Sequence, residues 1–394
     1  NAGNVDKHSL LLGPAERADV IVDFSAYAGQ TLILYNDSPA AFPARDPRYD
    51  YYTGDGDYTA TGGAPSTIAG YGPNTRTVMR IVVANTAPAP AYDVAALQTA
   101  FRATSLGGQG VFENGQNPII VGQGPYNTAY NTAFQDNGPR AGLVQIYDEY
   151  LDFDTLAGTP LRMPLERKAI QDEMGEAFEK EYGRMSGNLG VEAPNAQAGL
   201  QQNLILYPFV NPATELLNGI ELPPGVQITP IDTATDGSQI WKITHNGVDT
   251  HPIHFHLFDV QLLNRVGWDG IIRKPDPNEL GWKDTVRISP LEDTIVAIRP
   301  IIPKIPFGLF DNYRPLNPMM PLGDTSMFVN TDIFGNPLAT PLVNQIVNFG
   351  WEYTWHCHIL SHEEMDMMRP MTVFVDRLLP QPPVVTYTAG TFPT

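Results

Sequence analysis

Cysteine is nearly absent from this chain: in 394 residues there is one, Cys357. A single thiol excludes an internal disulfide framework, so cysteine usage does not report the redox compartment. Basic residues are scarce as well. With 24 Lys and Arg against 43 Asp and Glu, the net charge is −19. Such a surface disfavours nucleic acid and suits neutral or cationic small molecules; its simplest role is solubility. No run approaches the roughly 18 apolar residues of a membrane span, so no span is expected. No secretory leader is visible. Histidine numbers only eight, which makes its distribution informative.

Glycine and proline, by contrast, are abundant, at 35 and 36 residues. They separate short β-rich runs, and this pattern predicts an all-β protein of Greek-key sandwiches with long loops. Near the start, residues 9–12, 18–24, 30–35 and 77–83 read as strands, with a turn at Gly13-Pro14. Four strands are too few for a sandwich of about seven, so residues 1–85 are expected to be the C-terminal part of a domain. Residues 53–75 read as a Gly/Ser/Thr-rich loop, and 86–135 as a linker or crossover. Residues 166–185, rich in Glu, Lys, Ala and Met without proline, predict an acidic helix. Strand signals return at 204–207, 226–228, 239–244, 253–265, 284–288, 294–298, 351–358 and 371–375. They predict a sandwich within 136–394, with a long loop over 301–345 and an extended Pro/Thr-rich tail from Pro380.

Six of the eight histidines and the cysteine fall in two short stretches. One is Thr250-His251-Pro252-Ile253-His254-Phe255-His256-Leu257 and the other runs from Trp355 to Met367. On a strand, side chains alternate faces. His356 and His358 then point one way and Cys357 the other. His254 and His256 likewise share a face, with Phe255 and Leu257 toward the buried side. One group is therefore four imidazoles, His254, His256, His356 and His358. The other is His251, Cys357, His362 and Met367, two nitrogens with a thiolate and a thioether. Histidine, cysteine and methionine are the ligands copper prefers, and the second group has the composition of a blue-copper site. Zinc is the alternative metal, but a structural zinc site closes with four ligands, and these stretches offer eight. His8 and His245 stand apart and read as satisfied or surface residues. Met365, Met368 and Met371 read as core or rim.

These motifs resemble those of the multicopper oxidases. His251-Pro252-Ile253-His254-Phe255-His256, and His356-Cys357-His358 with His362 and Met367, are similar to that family's two C-terminal copper motifs. Gly281-Trp282-Lys283-Asp284-Thr285 resembles the stretch between them in the spore-coat laccase and bilirubin oxidase branch. The stretch from Leu12 to Val20 is similar to the end of the family's middle domain. The resemblance covers about residues 5–40 and 225–378. It implies cupredoxin-like domains: 1–85 as the end of a middle domain and 136–394 as a complete C-terminal one. It implies a mononuclear type 1 copper on His251, Cys357, His362 and Met367, the methionine chosen by its place in the family pattern. It further implies a three-copper cluster, with His254 on the type 2 ion and His256, His356 and His358 on the type 3 pair. Glu363 matches an acidic position that helps deliver protons to dioxygen.

The implied activity is laccase-like. One-electron oxidation of phenols or aromatic amines is coupled to four-electron reduction of dioxygen to water, with the reductant meeting the exposed edge of His251 or His362. Oxidation of metal ions such as Mn²⁺ or Cu⁺ is the alternative, and a blue-copper electron carrier without oxygen chemistry is the competing class. The implied location is extracellular or periplasmic. In one respect the chain departs from the family: no further His-x-His pair exists to complete the cluster. The expected partner is therefore an N-terminal fragment or chain of the same oxidase, held non-covalently.

Overall fold

The computed structural model describes residues 9–38, 77–101, 110–123, 150–164, 238–245, 249–267, 269–301, 310–326, 336–364 and 367–373, with short stretches between them, including the backbone of strands spanning 168–207. The expected strand at 226–228, most of the 53–75 loop, the tail from Pro380 and His8 lie outside the described residues.

The architecture is mostly antiparallel β-sheet. One four-stranded sheet runs in the order Thr285–Ile288, His251–Phe255, Trp351–Cys357, Met368–Val373. A seven-stranded sheet runs Ile272–Arg273, Phe258–Gly267, Glu292–Pro300, Gln239–His245, Lys168–Gln171, Asn188–Glu192, Leu204–Tyr207. Its pairings are antiparallel except that between Gln239–His245 and Lys168–Gln171. Alternation along these strands turns one row of apolar side chains from each sheet into a shared core. Ile253, Phe255, Val286, Ile288, Trp351, Tyr353 and Trp355 come from the first sheet, and Trp241, Ile243, Phe258, Val260, Leu262, Val296 and Ile298 from the second. This arrangement is consistent with a cupredoxin-like β-sandwich. Each large side chain so buried contributes about 1.5–3 kcal/mol. The opposite face of the larger sheet, with Ile240, Leu263, Ile295 and Ala297, is covered by Ile120 and Val121. Gln261 fixes that cover, accepting from the Val121 amide at 2.9 Å and donating to its carbonyl at 2.6 Å.

Several local expectations are corrected. Within 166–185, the described residues form strands rather than a helix, at Lys168–Gln171, Phe178–Glu179 and Arg184–Met185. Helix propensity is a weak bias of tenths of a kcal/mol per residue, and pairing with Gln239–His245 and Asn188–Glu192 overrides it. Residues 9–12 and 18–24 are extended or irregular, not paired strands. The turn at Gly13-Pro14 is present, closed by Glu16 N–H to Gly13 O at 3.0 Å. The 253–265 run is two strands broken at Leu257, whose φ is 59°. Leu257 is therefore on an exposed turn, 49% accessible, and not on the buried side with Phe255.

Candidate metal centre

Register places the ligand-type side chains. Ile253 lies opposite Cys357, and His254 opposite His356. Cys357 thus faces the core with Ile253 and Phe255, while His254 and His356 project from the other face of the same sheet. The backbone after Cys357 turns back at once. A short helix, Leu360–Glu364, carries His362, and Met367 closes the loop by donating its N–H to His362 O at 2.9 Å and accepting from Cys357 N–H at 3.2 Å. His358 N–H donates to Pro252 O at 2.8 Å, stitching this turn to the neighbouring strand.

On the core side, His251 Nδ1, Cys357 Sγ and His362 Nδ1 form a triangle with sides of 3.3, 3.6 and 3.2 Å. A point equidistant from all three lies about 2 Å from each, the length of a metal–imidazole bond. All three are buried, at 0%, 0% and 1% accessible, and Met367, at 2%, packs in the same core cluster. Burial alone would raise the Cys357 thiol, but His251 and His362 outweigh it and bring it down to about 7. A thiolate is the form that ligates metal.

The other face gathers four imidazoles. His256 Nε2 and His356 Nε2 are 3.0 Å apart. Ring centroids of His254 lie 4.9, 5.5 and 5.5 Å from those of His256, His356 and His358. Two of the rings have acceptors at their outer nitrogens. His254 Nδ1 faces Asp284 O at 2.9 Å and Thr285 Oγ1 at 3.0 Å, and His356 Nδ1 faces Cys357 O at 3.1 Å. A carbonyl only accepts, so these rings carry the proton on Nδ1 and turn a bare Nε2 inward. Burial lowers the pKa of both His254 and His356, chiefly by desolvation, favouring the neutral ligating form. Glu363 lies outside the pair, with Oε1 3.4 Å from His356 Nδ1 and Oε2 3.6 Å from His358 Nδ1. The group is open on one side: His256 is exposed and the His358 side chain is 38% accessible.

The His251, Cys357 and His362 group and the His254, His256 and His356 group can each hold a metal ion, and imidazoles with one thiolate are a donor set that suits copper. One sequence expectation needs revision here. His251 and His362 present no exposed edge to a reductant: they are 0% and 1% accessible, and His251 sits in an interior strand of its sheet. His245, read as satisfied or surface, is the satisfied kind: it is buried, its Nε2 meets Asp249 O, and its ring centroid is 5.0 Å from that of His251. Asp249, two residues before His251 and outside the sequence expectations, has its Oδ1 3.0 Å from His251 Nε2. Asp284 and Thr285 were seen only as part of a motif, without a role.

Residues 201–304 match the family described as multicopper oxidase. Among similar proteins is a laccase of Haloferax volcanii, 28% identical over 160 residues that cover 41% of this chain and 19% of that protein. Another is a laccase of Bacillus subtilis, 28% identical over 149 residues covering 34% of this chain and 20% of that protein. The chain thus spans about a fifth of the length of the laccases it matches. Among solved structures, a laccase from Pediococcus acidilactici is 24% identical, covering 35% of this chain and 20% of that one, with a TM-score of 0.21.

Proposed function

We propose that this chain is the copper-bearing C-terminal portion of a multicopper oxidase of laccase type, working outside the cytoplasm. The observation that carries this reading is the division of one strand between two donor sets, with Cys357 turned inward to His251 and His362 and its two histidine neighbours turned outward to His254 and His256. In this reading His251, Cys357, His362 and Met367 hold a type 1 copper. His254 holds the type 2 ion, and His256, His356 and His358 contribute to the type 3 pair. Copper bound there would supply one-electron oxidation of a reductant and, at the cluster, reduction of dioxygen by four electrons and four protons to two waters.

The chain's own residues do the rest. Cys357 links the two faces covalently through its backbone to His356 and His358, so electrons need no diffusing carrier. Burial of His251, Cys357 and Met367 excludes water from the thiolate and holds the ligand geometry by packing. Glu363, beside both outward histidines, is placed to hold and pass a proton. The open side of the imidazole group is where a second polypeptide segment would add histidines. Residues 1–85 would be the end of a middle domain, 86–135 a crossover, and 136–394 the C-terminal cupredoxin domain.

Phenols or aromatic amines are the proposed reductants. Oxidation of small metal cations such as Mn²⁺ or Cu⁺ is a second reading, favoured by the acidic balance of 43 Asp and Glu against 24 Lys and Arg. The test is dioxygen uptake by the copper-loaded, assembled protein with a panel of phenols, aromatic amines, Mn²⁺ and Cu⁺, together with copper stoichiometry. Four coppers per assembly and uptake with an organic reductant support the first reading. One copper and no uptake would leave only an electron carrier.

A further inference from the structure

Far from both motifs in sequence, Glu16 and Arg17 lie against Lys283 and Asp284, and the charges match in order. Glu16 Oε1 accepts from Lys283 Nζ at 2.7 Å, and its Oε2 accepts from Gly13 N–H at 2.8 Å and lies 3.2 Å from Arg287 Nε. Arg17 grips Asp284 with both ends of its guanidinium, Nη1 to Oδ1 at 2.7 Å and Nη2 to Oδ2 at 2.9 Å. Such a planar two-point grip fixes direction as well as distance. The segment can lie this close because residue 13 is glycine: a Cβ there would stand 2.8 Å from the Cβ of Pro252, in the strand that carries His251 and His254.

From Asp284 the contacts run directly to the imidazole group. Its side chain accepts from Thr285 Oγ1 at 3.1 Å. Thr285 Oγ1 and Asp284 O are the two acceptors of His254 Nδ1–H. Asp284 O also takes the Phe255 N–H at 2.9 Å, which fixes the backbone on the other side of His254. The guanidinium therefore holds the carboxylate, the carboxylate holds the hydroxyl and its own peptide, and these two hold the ring.

We infer that Arg17 is a positioning residue for His254, fixing its imidazole through Asp284 and Thr285 so that Nε2 points into the imidazole group. This rests on the proposed copper function, and it adds an element 237 positions upstream of the ring it orients. Partners of ligating histidines typically govern metal affinity by about 10–100-fold.

The test uses the assembled, copper-loaded protein with Arg17→Ala and Arg17→Lys. In Arg17→Ala the copper held by His254 should dissociate about 10–100-fold more readily in a chelator competition. The visible absorption of the Cys357 site serves as internal reference and should remain. Arg17→Lys, which supplies the charge without the planar fork, should recover part of the loss. Equal copper retention at both sites would overturn the inference, and so would parallel loss from both with a lowered melting temperature, which marks a general scaffold contact. The metal-free protein gives a second measure. The His254 Nδ1 proton should be in slow exchange with water by NMR and exchange fast in Arg17→Ala; slow exchange in both overturns the inference. If the wild-type protein takes up no copper at His254, the proposed function fails, and the proton measurement still decides the role of Arg17.

Discussion

Asp249 places Oδ1 3.0 Å from Nε2 of His251, on the edge of the ring away from Cys357. With Nδ1 turned to the thiolate, the proton belongs on Nε2, and the nearby carboxylate favours that tautomer by its charge. Asp249 is itself buried, at 4% accessible, so its charge acts at low screening. A negative group close to the site favours the higher oxidation state of a bound metal. Asp249→Asn, of the same shape, should therefore raise the reduction potential of the Cys357 site. A tenfold change in the oxidised-to-reduced ratio corresponds to about 59 mV for one electron. A potentiometric titration followed by the visible absorption measures it; an unchanged or lowered potential contradicts this role.

Cys357 has the most direct test. Cys357→Ser keeps the size and the backbone but removes the only thiolate. The visible charge-transfer band should vanish and reductant-driven dioxygen uptake should stop. The four imidazoles on the opposite face should still take copper, seen by metal analysis and electron paramagnetic resonance. Loss of copper from both faces in a folded variant would mean that the two groups are not separate sites.

Much of this site was legible from residue order because the period of a strand is two. His254 opposite His356 and Ile253 opposite Cys357 follow from alternation once the two strands pair in this register. Leu257 escaped the pattern because its left-handed backbone ends the strand before the alternation reaches it. Residues 168–171 escaped it because tertiary pairing decided their state, and Glu- and Lys-rich composition carries no record of a partner strand. Asp249, Arg17 and Asp284 were invisible as partners for another reason. A hydrogen bond between residues 267 apart, such as Arg17 to Asp284, leaves no local signature.

If the proposed function holds, replacing Glu363 should separate proton supply from electron supply. Its carboxylate oxygens stand 3.4 and 3.6 Å from the Nδ1 atoms of His356 and His358, longer than ordinary hydrogen bonds and close enough for a small side-chain rotation to close one. Glu363→Gln preserves the shape and removes the proton-accepting charge. Reduction of the Cys357 site by a phenol, followed by stopped flow without dioxygen, should keep its rate. Steady-state dioxygen turnover should fall by about 10²–10⁴-fold if Glu363 is the proton donor. An equal drop in both rates would assign Glu363 a packing role instead.

The last prediction concerns the charges beside the sheet that carries His251 and Cys357. Glu279 is fully buried and takes Arg265 at both oxygens, at 2.8 and 2.7 Å, while Arg287 Nη2 lies 3.0 Å from its Oε1. Desolvation pushes the Glu279 carboxyl up, but the hydrogen bonds and charge of Arg265, with Arg287, outweigh it and hold the pKa below the ordinary value. A carboxylate with a depressed folded pKa stabilises the protein above its unfolded pKa of about 4.3. That contribution is lost as pH falls from there through the folded value. Glu279→Gln leaves Arg265 with Glu292, 3.3 Å from its Nε, as its remaining buried partner, so the loss should be at most the about 3–5 kcal/mol of breaking a buried pair outright. Denaturant unfolding at neutral pH should show that loss. It should shrink in acid, where the wild-type carboxyl protonates and forfeits the same interaction. A deficit that does not change with pH would mean that the network contributes through packing alone.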